Sequence, residues 1–288
     1  MRVVCAGHVN WDVTLFVDAL PGPDAEATIR DRREGGGGSA ANVATHLARL
    51  DVDVGLVGSV GDDRDGVDTR EELVAAGVDT RGVRVVEGMT AVKYLLVTPD
   101  GETYVLGTHG VNESYAAEHV PGEYLARADY LHLTGQHPET AARLAERARE
   151  AGLRVSFDPG RRLSARDYSA ALSHADVVFL NSREAEQRRE RVPDQVVVTK
   201  HGAGGATVES PDGRVTHPGY PVEAVDSTGA GDAFAAGFLA ALLDDGDYAR
   251  ALAVANACGA LVASAPGTRP TLDHERLDAL VGSDVESE

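Results

Sequence analysis

The stretch Asp226-Ser227-Thr228-Gly229-Ala230-Gly231-Asp232-Ala233-Phe234 runs without a break into an apolar, alanine-rich segment. Glycines at 229 and 231 let the backbone turn tightly, and the spacing beyond them predicts a helix over Gly231–Leu243. The first N–H groups of such a helix lack intrahelical partners, and together with the helix dipole they form a site for an anion. Asp232 falls in the first turn, beside that anion, where a carboxylate can take a proton from an attacking hydroxyl. The plainer reading is a helix-start carboxylate favoured by the dipole. The dipole favours its ionised form. Phosphoryl transfer tolerates such a weak base, because its loose transition state needs positioning and charge neutralisation above all.

Strand-like and helix-like runs alternate from end to end of the 288 residues. That rhythm predicts an α/β fold with a mainly parallel sheet flanked by helices. The doubly apolar runs Val3–Ala6, Val54–Val57, Tyr130–Leu133, Arg154–Asp158, Val177–Leu180 and Val196–Thr199 read as strands buried on both faces. Helices are expected at Ala40–Leu50, Asp68–Ala76, Pro138–Ala151, Ala165–His174, Gly231–Leu243 and Tyr248–Ala263. Two segments break the rhythm. Asp12–Val17 alternates polar and apolar residues, and Ala91–Gly107 holds two strand-like runs around the turn Pro99-Asp100-Gly101. Both read as a small β-layer over one edge of the main sheet.

A second glycine-rich stretch, Gly35-Gly36-Gly37-Gly38-Ser39-Ala40-Ala41-Asn42, leads directly into a helix. It reads as a permissive loop that lets backbone approach a small polar ligand. Asn42, in the first turn, either holds a ligand hydroxyl or makes a local capping contact.

Composition excludes several classes. The net charge is −19, which disfavours nucleic acid and anionic membranes as partners. Lys93 and Lys200 are the only lysines among 27 basic residues, a pattern of salt-adapted proteins or of a GC-rich genome. Cys5 and Cys258 are the only cysteines, so no disulfide framework is available. The short apolar N-terminus reads as a strand rather than a signal peptide, and a cytoplasmic protein is expected. The absence of GxxxxGK[ST] excludes a P-loop kinase, and the absence of HExxH argues against catalytic zinc.

Taken together, Gly37-Gly38-Ser39-Ala40-Ala41-Asn42 and Asp226–Phe234 resemble the two signatures of the ribokinase-like (PfkB) carbohydrate and nucleoside kinases, with Ser227 as a variation. The resemblance spans nearly the whole chain. It implies a single kinase domain over 1–288 with lid segments at about 12–34 and 88–112, and pairing of lids in a homodimer. It implies Asp232 as base, with Gly229, Ala230 and Gly231 as anion hole. Asn10, Asp12, Gly38, Ser39, Asn42 and Asn112 match acceptor-binding positions. Asn181 and Glu184, in an N-x-x-E segment, match positions acting on ATP phosphates and water-clad Mg2+. Taken alone, those four residues read as a helix cap with an acidic first turn. Thr199, Lys200, Gly202 and Gly205 match a loop near the ATP phosphates, with Lys200 where threonine is usual. Asn256 matches a position near the adenine, and Asp226 and Thr228 match positions near an activating K+. Asp158-Pro159-Gly160-Arg161-Arg162 departs from a family D-x-N-x-R segment at Gly160, and Ser39 replaces the usual lysine of ribokinase. The implied activity is ATP-dependent phosphorylation of a sugar hydroxyl. A nucleoside acceptor, or a silent sugar or nucleotide sensor, are the alternatives. Arg32, Arg33 and Arg84 read as surface residues or as contacts to a phosphorylated or acidic acceptor.

Overall fold

The computed structural model describes residues 2–187, 194–244 and 246–285. In chain order the strands are β1 (Arg2–Ala6), β2 (Asn10–Val17), β3 (Ile29–Gly37), β4 (Asp53–Gly61), β5 (Asp79–Val86), β6 (Ala91–Val97), β7 (Thr103–Gly107), β8 (Tyr130–Thr134), β9 (Arg154–Asp158), β10 (Val177–Asn181), β11 (Val196–Lys200), β12 (Ala206–Ser210) and β13 (Gly213–His217). The helices are α1 (Ser39–Arg49), α2 (Arg64–Ala75), α3 (Gly122–Ala126), α4 (Pro138–Glu150), α5 (Ser169–Leu172), α6 (Ser182–Gln187), α7 (Ala230–Asp244), α8 (Tyr248–Ala263) and α9 (His274–Val285).

The large sheet has the order β13-β12-β11-β10-β9-β8-β1-β4-β5. It is parallel from β11 to β5, and the β12–β13 hairpin adds two antiparallel strands at one edge. The parallel strands are apolar on both faces because each face carries a core. Val3 and Cys5 of β1 pack with α1, α7 and α8, whereas Val4 and Ala6 pack with α3 and α4. The same alternation repeats on β10, where Val177 and Phe179 face one core and Val178 and Leu180 the other. From β1 the chain builds outward through β4 to β5, then returns to place β8 on β1's other side. That reversal opens a crevice at the carboxyl ends of the strands.

The four-stranded small sheet has the order β3-β2-β6-β7. The sequence reading of Asp12–Val17 and Ala91–Gly107 as a separate β-layer matches it. The Gly35–Gly38 stretch is corrected. Gly35, Gly36 and Gly37 are not loop but the end of β3, opposite Asp12, Trp11 and Asn10. A side chain at Gly37 would run into the Asp12 carboxylate, so the glycine makes room for a buried acid rather than for flexibility.

The expected helix Ala165–His174 is also corrected. Only the single turn of α5, Ser169–Leu172, forms within it, after a 3-10 turn at Gly160–Ser164. Arg166 reaches Glu113 and the Gln136 carbonyl, and the Tyr168 hydroxyl reaches that same carbonyl, so tertiary anchors override local propensity. No helix among the described residues is long and apolar enough to cross a membrane.

Candidate active site

A cavity of about 660 Å³ lies between the small sheet and the carboxyl ends of the large one. Five consecutive crevice strands deliver residues to it: His8 after β1, Gly135 after β8, Asp158 and Arg161 around the end of β9, Asn181 on β10 and Lys200 on β11. The small sheet contributes Asn10, Asp12 and Lys93, and the starts of α1 and α7 contribute Ser39, Asn42, Gly231 and Asp232.

At its centre Asn42 donates its amide to Asp232 Oδ2 at 2.7 Å. Burial pushes the Asp232 carboxyl up to about 6, against the Asn42 hydrogen bond and the Lys200 charge, with Asp158 adding to the rise. The ionised form that the helix start favours is therefore opposed by desolvation, which wins. The result is a carboxyl that titrates close to neutrality, better matched to general-base work than an ordinary aspartate.

Gly229 turns at φ 80°, and a Cβ there would stand 2.6 Å from the Thr268 carbonyl, so only glycine fits. Among the described residues the N–H groups of Gly229 and Gly231 have no acceptor, and both residues line the cavity. Ala230 differs from expectation: its N–H donates to the Ser227 carbonyl at 3.2 Å, and it does not line the cavity. Lys200 Nζ lies 3.6 Å from where a Gly231 Cβ would stand and pairs with Asp158 Oδ2 at 2.6 Å. Burial opposes the Lys200 charge, and Asp158, with Asp232 and Glu184, outweighs it and raises the pKa.

Asn181 and Glu184 satisfy both readings of their motif. Glu184 accepts from the Asn181 N–H and amide at 2.9 and 2.8 Å, and the Asn181 amide oxygen accepts from the Glu184 N–H at 2.9 Å. That is a capping arrangement. Both side chains nevertheless border the cavity. A carboxylate so restrained suits a metal that keeps its waters and takes its direct ligands from phosphate oxygens.

Asp12 Oδ1 is buried without a hydrogen-bond partner, an acceptor left for a ligand hydroxyl. Burial pushes this carboxyl up to about 6 as well. Asn112 stands one layer back, its amide donating to Asn10 Oδ1. Other expected residues stay outside the cavity lining. Asn256 donates to the Leu252 carbonyl of its own helix at 2.8 Å. Thr199 pairs across the sheet with Thr207. Gly202 begins the 3-10 turn Gly202–Gly204, and Gly205 packs against the His217–Gly219 backbone. Asp226 accepts from the N–H groups of Thr228 and Gly267 at 2.9 and 3.1 Å, bracing two loops, while Thr228 lines the cavity.

Sequence reading missed Arg269. Its guanidinium donates to Asn42 Oδ1 at 2.7 Å and to the Gly37 carbonyl at 2.8 Å, so it orients the residue that holds Asp232. Arg49 grips the carbonyls of Arg269 and Pro270 at 2.8 and 2.6 Å, and His46 meets that of Thr268. Lys93 was missed too, and Arg161 and Arg162, read only as part of the family segment that departs at Gly160, were given no site role; all three line the cavity. Arg32 and Arg33 instead pair on the surface with Glu34 and Asp31, and Arg84 is exposed.

The sequence profile of the pfkB family of carbohydrate kinases matches residues 1–275. The chain belongs to that family. Its relatives include an ATP-dependent ribose-1-phosphate kinase of Halopiger xanaduensis, 58% identical over 95% of this chain and 96% of that protein. A nucleoside kinase of Methanothermobacter thermautotrophicus is 30% identical over 94% of this chain and 92% of that protein. The crystal structure of the Methanocaldococcus jannaschii nucleoside kinase superposes with a TM-score of 0.86 at 21% identity, covering 98% of each chain. The fold is thus that of pfkB kinases, with a mostly parallel large sheet, flanking helices and a separate small sheet.

Proposed function

We propose that this pfkB kinase transfers the γ-phosphoryl group of ATP to a hydroxyl of ribose-1-phosphate. The observation that carries the acceptor is the 58% identity, over nearly the full length of both chains, to a ribose-1-phosphate kinase. The chemistry rests on the cavity. Asp232, its pKa pushed up to about 6, accepts the proton of the attacking hydroxyl as the oxygen bonds to phosphorus and ADP departs. Asn42 fixes the carboxylate, and Arg269 fixes Asn42. The free N–H groups of Gly229 and Gly231, with Lys200 beside them, stabilise charge on the moving phosphoryl group. Asp12 and Asn10 receive sugar hydroxyls.

Mg2+ bound with ATP would neutralise phosphate charge, and Asn181, Glu184 and Asp158 are the residues that would hold its waters. Asn256 is the position for the adenine by family resemblance, and the Gly202–Gly205 loop for the phosphates. K+ beside Asp226 and Thr228 would brace the loop that presents Gly229; equal rates in potassium and sodium chloride at one ionic strength would exclude it.

The chain acts as one kinase unit, in which the small sheet is a lid that excludes water. The outer lid residues Ile29, Tyr94, Tyr104 and Leu106 are exposed apolar surface, which supports a homodimer through the lid. The acidic, lysine-poor composition supports work in a salt-rich cytoplasm. The test is ADP release, in molar potassium chloride, with ribose-1-phosphate, ribose and nucleosides as acceptors. Ribose-1-phosphate is expected to have the highest kcat/KM; preference for a nucleoside, which the Methanothermobacter relative supports, would overturn the acceptor assignment.

A further inference from the structure

Both lysines of this chain line the same cavity, although nothing in the sequence brings residues 93 and 200 together. Lys200 has Asp158 for a partner. Lys93 has none. It leaves β6 of the small sheet and lies across Gly107, where a Cβ would stand 2.8 Å from the lysine Cδ. Among the described residues its ammonium makes no hydrogen bond or ion pair. Facing it from the large sheet are Arg162 and Arg161, on the 3-10 turn after β9. Arg162 is tethered by one contact, to Glu113 at 2.9 Å, and the exposed Arg161 guanidinium has no partner among the described residues.

Burial, together with the Arg162 and Arg161 charges, holds the pKa of Lys93 below that of a free lysine. Three cations therefore converge on one wall of a cavity, at a cost, in a chain whose acids outnumber its bases 46 to 27. Such an arrangement is stable in the presence of an anion of matching charge, and guanidinium groups suit a phosphate because they can bond it bidentately. Lys93 interacts with Asp12 and with the two arginines, and Arg161 also acts on Glu184, whereas Asp232 is governed by Asn42, Asp158 and Lys200.

We infer that Lys93, Arg161 and Arg162 form a subsite for the phosphate monoester already on the acceptor, at the end of the sugar remote from the hydroxyl that reacts. This assignment rests on the phosphorylated-acceptor reading above and names the residues that enforce it. The phosphate bridges the two sheets, so the charge of the acceptor helps hold the small sheet over the sugar.

The test is initial-rate kinetics of wild type, K93M, R161M and K93R, varying ribose-1-phosphate and ATP separately, with thermal melts to verify folding. In K93M and R161M, KM for ribose-1-phosphate is expected to rise at least ~10-fold, the weight of a charged hydrogen bond, while KM for ATP stays within about twofold. K93R keeps the charge and retains most of the affinity. Unchanged KM for ribose-1-phosphate in both methionine variants overturns the subsite. So does a rise in KM for ATP alone, which would assign the cations to the nucleotide. A wild type that phosphorylates only uncharged acceptors overturns the acceptor reading itself, and that result appears before any variant is made.

Discussion

Replacing Asp232 by asparagine should make the protein more stable while disabling it. Burial raises the carboxyl from the ordinary 3.8 to about 6. A carboxyl whose pKa is raised on folding binds its proton more tightly in the native state. Its stabilising contribution is therefore complete below about pH 4 and is lost as pH rises through about 6. Two decades at about 1.4 kcal/mol each amount to roughly 3 kcal/mol withdrawn from stability at neutral pH. Asparagine has no charge to desolvate, and its oxygen can still accept from the Asn42 amide at the 2.7 Å contact. Lys200 loses a nearby anion in the exchange, so 3 kcal/mol is an upper figure. For a chain of this size, that corresponds to about 6 °C in Tm. Thermal melts of wild type and D232N from pH 4 to pH 8 should show no offset at the acid end and D232N the higher at pH 8. Turnover should fall at least ~10²-fold in D232N, and wild-type turnover should decline below about pH 6 as the base protonates. A D232N protein that melts at or below wild type at pH 8, or with the same offset at every pH, would refute the claim that a desolvated carboxylate sits in the cavity.

Lys200→Met strands Asp158, whose partner now stands 2.6 Å away, and is expected to cost about 3–5 kcal/mol by denaturant unfolding as well as raising KM for ATP. Adding Asp158→Leu should restore stability and leave turnover low. Arg269→Met removes the 2.7 Å bond to Asn42 and should lower kcat by ~10- to 10²-fold, with KM for ATP little changed; Arg269→Lys should not rescue, since an ammonium cannot span Asn42 and the Gly37 carbonyl as the planar fork does. Gly229→Ala forces a side chain into φ 80° and toward the Thr268 carbonyl, which should cost about 1–3 kcal/mol in a chemical melt and most of the turnover.

The parts of the site that were legible in the sequence are those whose geometry is made by neighbours in the chain. Gly229, Gly231 and Asp232 act through one turn and the helix it starts, and Asn181 and Glu184 through one cap. Residue type and spacing therefore carry the information. Ala230 escaped by one peptide unit, because its N–H closes the turn onto Ser227 and only its neighbours are left open. Arg269 was invisible for the opposite reason: its partner Asn42 is 227 positions away, and the loop carrying it is shaped by His46 and Arg49 of α1, the helix that also holds Asn42. Gly35–Gly37 misled because glycine signals both freedom and close approach, and the strand opposite, with the Asp12 carboxylate, decides between them. The Ala165–His174 stretch has helical propensity throughout, but the ties of Arg166 and Tyr168 to Gln136 and Glu113 outweigh it.

Net charge and site charge answer to different length scales, which resolves an apparent conflict. A molecule of −19 repels ATP and a phosphosugar alike at a distance, yet its cavity gathers both lysines and Arg161 and Arg162. In dilute buffer the long-range field should slow the arrival of anionic ligands. In molar salt the screening length shrinks to about 3 Å, which removes repulsion from the surface carboxylates but leaves direct contacts within the cavity nearly intact. Added salt should therefore raise kcat/KM for the charged acceptor by speeding association, up to the concentration at which chloride begins to compete for the Lys93 wall. For an uncharged acceptor such as ribose no comparable rise is expected, because there is no repulsion to remove. A salt dependence that is the same for both acceptors would mean that the acidic surface does not govern access to the site.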